Sequence, residues 1–260
     1  MVEEFCLIHQ ARIEYPYASI DTEFPGTIVR PNINQNLPYQ NRSIQNYHFM
    51  KLNVDQLKLI QLGLTLSDAQ GKLPDFGTNS TYIWQFNFCD FDIDSDNHNR
   101  DSIDLLQRQG INFVKNKQQG IHGRDFAVML GWSGLIFRRC PLTWVTFHSA
   151  YDFGFLIKLL IGRELPNDLS DFMRLVGFYF GMRVYDIKHM IRYCDGLFGG
   201  LERVAKALNV NRVAGKSHQA GSDSLLTMQT FHKLRNVYFN PKVDTKLNKF
   251  DSVLFGLEVN

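Results

Sequence analysis

Two carboxylates lie one residue apart in the segment YASIDTEFPG at residues 17–26. In an extended chain Asp21 and Glu23 point to the same face, because strand side chains alternate with a period of two. Two acids placed in this way repel each other unless a positive charge lies between them. A divalent metal ion is the usual source of that charge, so the segment predicts a metal site whose other ligands lie elsewhere in the chain.

Two further acids stand at predicted element boundaries. Asp152 follows the β-rich segment WVTFHS at 144–149, and Asp223 stands near the start of a long predicted helix. Taken alone, each is better explained as a residue that caps a helix and complements its dipole. Together with the first pair, however, they supply four hard oxygen donors. Such a set suits Mg²⁺ or Mn²⁺ better than structural zinc.

A histidine lies close to the last of these acids. His218 precedes Asp223 by five residues in SHQAGSD, so a loop histidine can face a site built at the start of the following helix. Histidine titrates near neutral pH and can take a proton from an attacking water. Two divalent ions a few ångströms apart stabilise both the attacking and the leaving oxygen of a phosphodiester. These residues and spacings predict a metal-dependent phosphodiesterase.

The first half of the chain predicts the strands that must position the paired acids. A helix within 1–15 precedes three strands, YASID (17–21), KLIQLGLTLSD (58–68) and YIWQFNF (82–88). Their short connections favour an antiparallel meander. Segment 31–49 is rich in Asn, Gln and Pro and predicts a surface loop.

Helical patterns dominate the second half. Two short strands, 144–149 and 183–188, interrupt them, and the last 20 residues are predicted to be loosely structured. The patterns together predict one α/β domain over 1–260, with a core at 15–239, a C-terminal tail at 240–260, and no linker or repeat. The predicted helices after the first are at 50–57, 101–111, 124–136, 152–162, 169–181, 201–209 and 222–239.

Composition excludes few partners but indicates in which cellular compartment the protein lies. The formal charge of +2 gives no global basic field, although a basic groove can coexist with a near-neutral total. The four cysteines form no C-x-x-C pair, which argues against a zinc knuckle or a disulfide-stapled secreted domain. The start MVEEFCLIHQ carries acids where a signal peptide has basic residues, and no apolar run approaches the roughly 18 residues of a membrane span. We therefore expect a cytoplasmic and nuclear protein without a membrane partner.

Three segments, DTEFPG, HSAYDFGFL and HQAGSDSLLT, occur in this order along the chain. They resemble the motifs of the DEDD exonuclease superfamily, in the subgroup with a histidine before the last aspartate. More narrowly, the chain resembles the CCR-associated-factor (Pop-type) poly(A) deadenylases, catalytic subunits of the CCR–NOT complex. The resemblance runs from Tyr15 to about Phe239 and includes KLIQLGLTLSD, YIWQFNF and VYDIK, which have no catalytic duty.

The resemblance implies a ribonuclease-H-like fold, a mixed sheet flanked by helices, and removal of poly(A) tails from the 3′ end with release of AMP. It implies two divalent cations, Mg²⁺ or Mn²⁺, and the carboxylate of Asp21 would bridge them. Glu23 and Asp223 would hold the ion that activates water. Asp152 would serve the second ion, chiefly through bound water, and His218 would be the general base. All five positions carry the expected residue type, which predicts an active enzyme.

The implied partners are poly(A) RNA, the scaffold subunit of the CCR–NOT complex and a second, unrelated deadenylase. Phe24 either packs in the core or forms a stacking platform for the last base, since base–aromatic stacking tolerates any base. His148 is interpreted as a buried strand histidine, and Asp186 as a structural residue. Two alternatives to a deadenylase stay open: a DEDD exonuclease for other RNA or DNA 3′ ends, and a subunit that is mainly an adaptor.

Overall fold

A mixed five-stranded sheet lies at the centre of the computed structural model, which describes residues 1–30, 39–137, 142–239 and 247–258. The strand order is β3-β2-β1-β4-β5. The first three strands pair antiparallel, whereas β1 pairs parallel with β4 and β4 with β5. The strands are β1 (Tyr17–Glu23), β2 (Gln61–Ser67), β3 (Trp84–Asn87), β4 (Thr143–Thr146) and β5 (Val184–Asp186).

Helices cover both faces of this sheet. Within the described ranges, none of them is both long enough and apolar enough to cross a membrane. The described α-helices are α1 (Val2–Ala11), α2 (Tyr39–Gln56), α3 (Arg100–Arg108), α4 (Phe113–Gln119), α5 (Gly123–Trp132), α6 (Ala150–Ile161), α7 (Leu169–Phe180), α8 (Ile187–Met190), α9 (Leu201–Ala207) and α10 (Ala220–Tyr238).

The two faces of the sheet differ in chemistry. Leu62, Leu64 and Leu66 of β2 belong to the large apolar cluster that also contains buried residues of α2, α5 and α6. The alternate residues of β2 are glycine or polar, and they face α10. Thr65 Oγ1, for example, lies 2.9 Å from Ser224 Oγ of α10. All seven residues of β2 are buried, so the strand combines an apolar face toward the main core with a polar face toward α10.

The predicted antiparallel meander of the first three strands and the mixed sheet flanked by helices are confirmed. The loop predicted for 31–49 is wrong where the structure describes it, because α2 begins at Tyr39; residues 31–38 lie outside the described part. Tyr47, Met50 and Val54 are buried at helical spacing. The many Asn and Gln residues around them give the segment a composition typical of loops, and for this reason the composition predicted a loop instead of a helix.

The loosely structured tail predicted for 240–260 is also wrong over its described residues. Leu254 and Leu257 are buried in the main core, and Phe250 in the cluster beneath α10. The backbone N–H of Ser252 donates to the backbone oxygen of Val184 at 2.9 Å, and that of Phe255 donates to the side-chain oxygen Oδ2 of Asp186 at 3.1 Å. The apolar residues of this tail follow no regular period, so pattern analysis does not detect them.

Replacing Leu254 with alanine tests the packing of the tail. Leu254 is 0% exposed, and truncating a buried leucine removes apolar contacts and leaves a cavity. We expect Leu254→Ala to lower the free energy of unfolding by about 2–5 kcal/mol in urea denaturation. The control Ile13→Ala truncates a side chain that is 72% exposed and should stay within about 0.5 kcal/mol of wild type. Equal, small effects of both changes would show that the tail is not part of the core.

Candidate active site

The first residues of helix α10 pack directly on the sheet, and this contact positions Asp223 near the acids of β1. The side-chain oxygen of Gln61 accepts a hydrogen bond from Ala220 N at 2.8 Å, and that of Gln85 accepts one from Gly221 N at 3.0 Å. A Cβ atom on Gly63 would lie only 1.9 Å from the carbonyl oxygen of Ala220. The helix can therefore approach this closely only because β2 carries glycine there.

This approach brings three of the five predicted site residues together. Ligand atoms of Glu23, His218 and Asp223 all lie within 4.8 Å of one another. His218 Nδ1 is 4.0 Å from Glu23 Oε1, and the His218 backbone N–H donates to Asp223 Oδ2 at 2.8 Å. His218 has a φ of +61°. Non-glycine residues held in this region cluster at functional sites, where the surrounding structure supports the strain.

The remaining two acids, Asp21 and Asp152, line the same cleft of about 710 Å³. Thr22, between the paired acids of β1, donates its hydroxyl hydrogen to Asp152 Oδ1 at 2.5 Å. Its side chain points to the opposite face of the strand from those of Asp21 and Glu23. The bond therefore connects the start of α6, on one face of the sheet, to the strand that carries the other acids.

The acids perturb one another strongly. Burial raises the pKa of Asp21 well above its usual range, and the charges of Asp152, Glu23 and Asp223 raise it further. Burial, together with Asp223 and Asp152, raises the pKa of Glu23 to about 8. Burial also raises the pKa of Asp152 to about 7, although the hydrogen bond from Thr22 opposes the shift. The cleft thus concentrates negative charge with too little positive charge nearby to compensate it.

The side chains fit a divalent cation. The donors are carboxylate oxygens with one imidazole and no thiolate, a set that suits Mg²⁺ or Mn²⁺. A cation among the acids would also supply the positive charge that their environment lacks and would lower these raised pKa values.

Sequence analysis did not find Arg212. Its Nη2 atom lies 2.6 Å from Asp223 Oδ1 and 2.7 Å from Glu202 Oε2, and its Nη1 atom donates to Ser222 Oγ. The positive charge of the guanidinium lowers the pKa of Asp21. Arg212 lies in a loop without a motif, where the sequence alone does not distinguish it from a solvated basic residue.

Phe24 packs against the core and also lines the cleft, while its role as a stacking platform for a base stays a prediction. Its ring stacks on Tyr151 with centroids 5.0 Å apart and planes at 13°, and it also contacts Phe155 at 5.0 Å. Phe24 and Tyr151 nevertheless both line the cleft. The pair therefore gives the site an aromatic wall that is held from behind by the core.

The interpretation of His148 as a buried strand residue is wrong. His148 lies beyond the end of β4 with a φ of +63°, is exposed, and lines the cleft. The structural role of Asp186 is confirmed, because its fully buried carboxylate accepts hydrogen bonds from the backbone of His148 at 2.8 Å and Ser149 at 3.1 Å. Asp186 thus fixes the turn that leads into α6 and Asp152.

Comparison with known proteins places the chain in a family. A profile described as CAF1 family ribonuclease matches residues 4–123. Probable CCR4-associated factor 1 homolog 7 of Arabidopsis thaliana is 46% identical over 98% of this chain and 90% of its own length. The chain belongs to the CAF1 ribonuclease family. A second member of the family, poly(A) ribonuclease pop2 of Schizosaccharomyces pombe, is 39% identical over 94% of this chain and 70% of its own.

Solved structures of CAF1 proteins agree with this fold. The structure of S. pombe Pop2p in its Mg²⁺- and Mn²⁺-bound form is 38% identical, with a TM-score of 0.87 over 98% of this chain and 95% of that one. Yeast CAF1, co-crystallised with the NOT1 MIF4G domain, is 34% identical, with a TM-score of 0.77 over 98% and 93% of the two chains. The ribonuclease-H-like fold class predicted from the sequence is confirmed.

The raised pKa values predict how pH and metal affect stability. A carboxyl whose pKa is higher in the folded than in the unfolded protein favours folding below its unfolded pKa of about 4, and this contribution is lost as the pH rises through the folded value. Glu23 and Asp152, with folded values of about 8 and 7, should therefore destabilise the metal-free protein progressively up to about pH 8. Mn²⁺ should raise the melting temperature more at about pH 8.5 than at about pH 5.5.

The variant Asp21→Asn tests the same prediction from the other side, because it removes one of the mutually repelling charges. In EDTA this variant should melt at a higher temperature than wild type at about pH 8.5, and Mn²⁺ should stabilise it less. Melting curves at both pH values measure the effect. A wild-type protein stabilised equally by Mn²⁺ at both pH values would contradict the prediction.

Proposed function

We propose that this chain is a 3′→5′ exoribonuclease that shortens the poly(A) tails of messenger RNA and releases 5′-AMP. The proposal rests on one observation above all: the five motif residues share a single cleft in a chain of the CAF1 ribonuclease family. The names of the relatives support the substrate, since one of them is a poly(A) ribonuclease.

We infer that Asp21, Glu23, Asp152 and Asp223 hold two divalent cations, Mg²⁺ or Mn²⁺. The Mg²⁺- and Mn²⁺-bound form of Pop2p supports the use of these ions. When bound, such ions lower the pKa of water and stabilise charge on a phosphodiester. The carboxylates of this chain need no large movement for this role, because hydrogen bonds from Thr22 and from the His218 backbone already orient two of them.

His218 is positioned to take the proton from the attacking water. Its side chain is 47% exposed to the cleft and solvent, while its backbone is held by Asp223. Phe24 and Tyr151 offer an aromatic wall on which the terminal base can stack. Water then attacks the last phosphodiester directly, and no covalent intermediate is needed.

Asp21→Asn should abolish hydrolysis and leave the fold intact, because the shared carboxylate is lost while the shape of the side chain is kept. The measurement is a time course on 5′-labelled RNA ending in about twenty adenosines, with Mg²⁺, Mn²⁺ or EDTA. The control, Asp101→Asn, changes an exposed acid of α3 and should retain wild-type turnover. Wild-type turnover by a folded Asp21→Asn protein would refute the assignment.

The same time course separates the competing functions. A metal-dependent ladder that shrinks from the 3′ end and slows at the first non-adenosine supports a deadenylase. A ladder that continues through every base would keep the exonuclease and remove the preference for poly(A). The absence of any ladder with a folded protein would favour a subunit that is mainly an adaptor.

His218→Ala should lower kcat by about 10²–10⁴, the usual contribution of a positioned general base. The metal-induced rise in melting temperature should be largely retained, because the four carboxylates remain. His48→Ala, which removes an exposed histidine of α2, is the matched control. Unchanged turnover by His218→Ala would exclude this side chain from proton transfer.

We also propose that the chain docks on the NOT1 scaffold and works beside a second deadenylase. The complex of yeast CAF1 with the NOT1 MIF4G domain and the name CCR4-associated factor support these partners. We further propose that it acts in the cytoplasm and nucleus. Cys6, Cys89 and Cys194 are free thiols, which suits a reducing compartment.

A further inference from the structure

A second groove, of about 690 Å³, lies beside the catalytic cleft. We call it the tail groove, since residues 255–258 of the C-terminal tail form part of it. Its volume is in the range of ligand sites, roughly 300–1,000 Å³. The lining residues that matter here are Arg42, Lys188, Arg192, Phe198, Phe255 and Glu258.

The tail groove is positively charged. Its described lining sets three cationic side chains against one acid, Glu258. That acid is compensated locally, because Glu258 Oε1 lies 3.0 Å from Arg192 Nη1 and 3.5 Å from His189 Nδ1. Arg42 and Lys188 therefore leave a surplus of positive charge. A near-neutral chain thus carries a local basic surface.

Aromatic rings accompany these charges. Phe198 is 57% exposed, and the guanidinium carbon of Arg203 lies 3.8 Å from its ring centroid. The Lys188 ammonium lies 5.7 Å from the ring centroid of Phe255. Phe198 is exposed and Phe255 is half-buried. Basic groups interleaved with accessible aromatic rings are the combination with which proteins bind single-stranded nucleic acid without reading its sequence.

The tail groove runs into the catalytic cleft. Phe198 lines the groove, whereas its partner Arg203 lines the cleft. On the other side, the ring of His148 in the cleft meets the ring of Phe255 in the groove, with centroids 5.0 Å apart. A chain bound in the cleft can therefore continue into the groove without leaving the protein surface.

We propose that the tail groove binds the single-stranded RNA on the 5′ side of the nucleotide being removed. This inference rests on the proposed function, because a 3′→5′ exonuclease holds the 3′ end in its cleft and the rest of the strand must leave on the 5′ side. Arg42 and Lys188 contact phosphates, and Phe198 stacks with a base. The groove makes affinity depend on the length of the tail, so an RNA long enough to fill it binds more tightly than one that fills only the cleft.

The test compares RNAs of about three and about twenty adenosines, bound to the non-hydrolysing Asp21→Asn protein in fluorescence anisotropy. Arg42 and Phe198 are exposed, so we expect Arg42→Gln and Phe198→Ala to leave the fold intact, although Phe198→Ala also removes the contact with Arg203. Each should reduce the preference for the long RNA by about fivefold or more. The affinity for the long RNA falls as salt rises, and Arg42→Gln should make the slope of log affinity against log salt less negative by about 0.7.

Matched controls come from α7. Arg174→Gln and Phe178→Ala change exposed residues that line neither the groove nor the cleft. Added to the Asp21→Asn protein, they should leave its preference for long RNA unchanged. An equal loss of affinity for both RNAs in the groove variants would overturn the proposal, because it would place their effect in the cleft. An unchanged preference would overturn it as well.

Poly(A) hydrolysis by the Asp21-containing protein, measured in parallel, separates this inference from the proposed function. If that protein shortens the tail but the groove variants keep the full preference for long RNA, only the groove assignment fails. If it does not shorten the tail with any metal, the proposed function fails first.

Discussion

The close approach of α10 to the sheet is the contact on which the site depends. At Gly63 there is no room for a Cβ atom beneath the Ala220 carbonyl, and the neighbouring contacts are made by small hydroxyl side chains such as Ser19, which donates to Ser224 O at 2.7 Å. Any larger residue in this layer would lift the helix. Asp223 would then move away from Glu23 even though neither residue had been changed.

Besides the ion pair of Arg212 with Asp223, neutral groups hold the acids in place. Gln61 and Gln85 satisfy the first N–H groups of α10, and the Thr22 hydroxyl orients Asp152. These hydrogen bonds do not require a ligand, so the geometry exists before a cation arrives. Their cost is electrostatic, because Glu23 is forced to a pKa of about 8. The fold thus gives up stability at the site in return for ligands that are already arranged.

Sequence patterns predicted the parts of the molecule that are periodic or carry a motif. The shared face of Asp21 and Glu23 follows from the period of two in a strand, and β2 follows from an apolar run of strand length. The approach of His218 to Asp223 follows from a loop that leads into a helix. The patterns missed contacts that form only through space. Arg212 meets Asp223 from a loop without a motif, and His148 turns out of its strand at a backbone angle that composition does not indicate.

Asp186 connects distant parts of the chain through one buried carboxylate. It accepts hydrogen bonds from the turn at His148 and Ser149, from Lys188 at 2.9 Å and from Phe255 at 3.1 Å. The tail donor is the last of these to be synthesised. During translation the nascent chain therefore carries all four acids before the turn that presents Asp152 has its full set of partners. The last hydrogen bond to Asp186 therefore forms only after the C-terminal segment has left the ribosome.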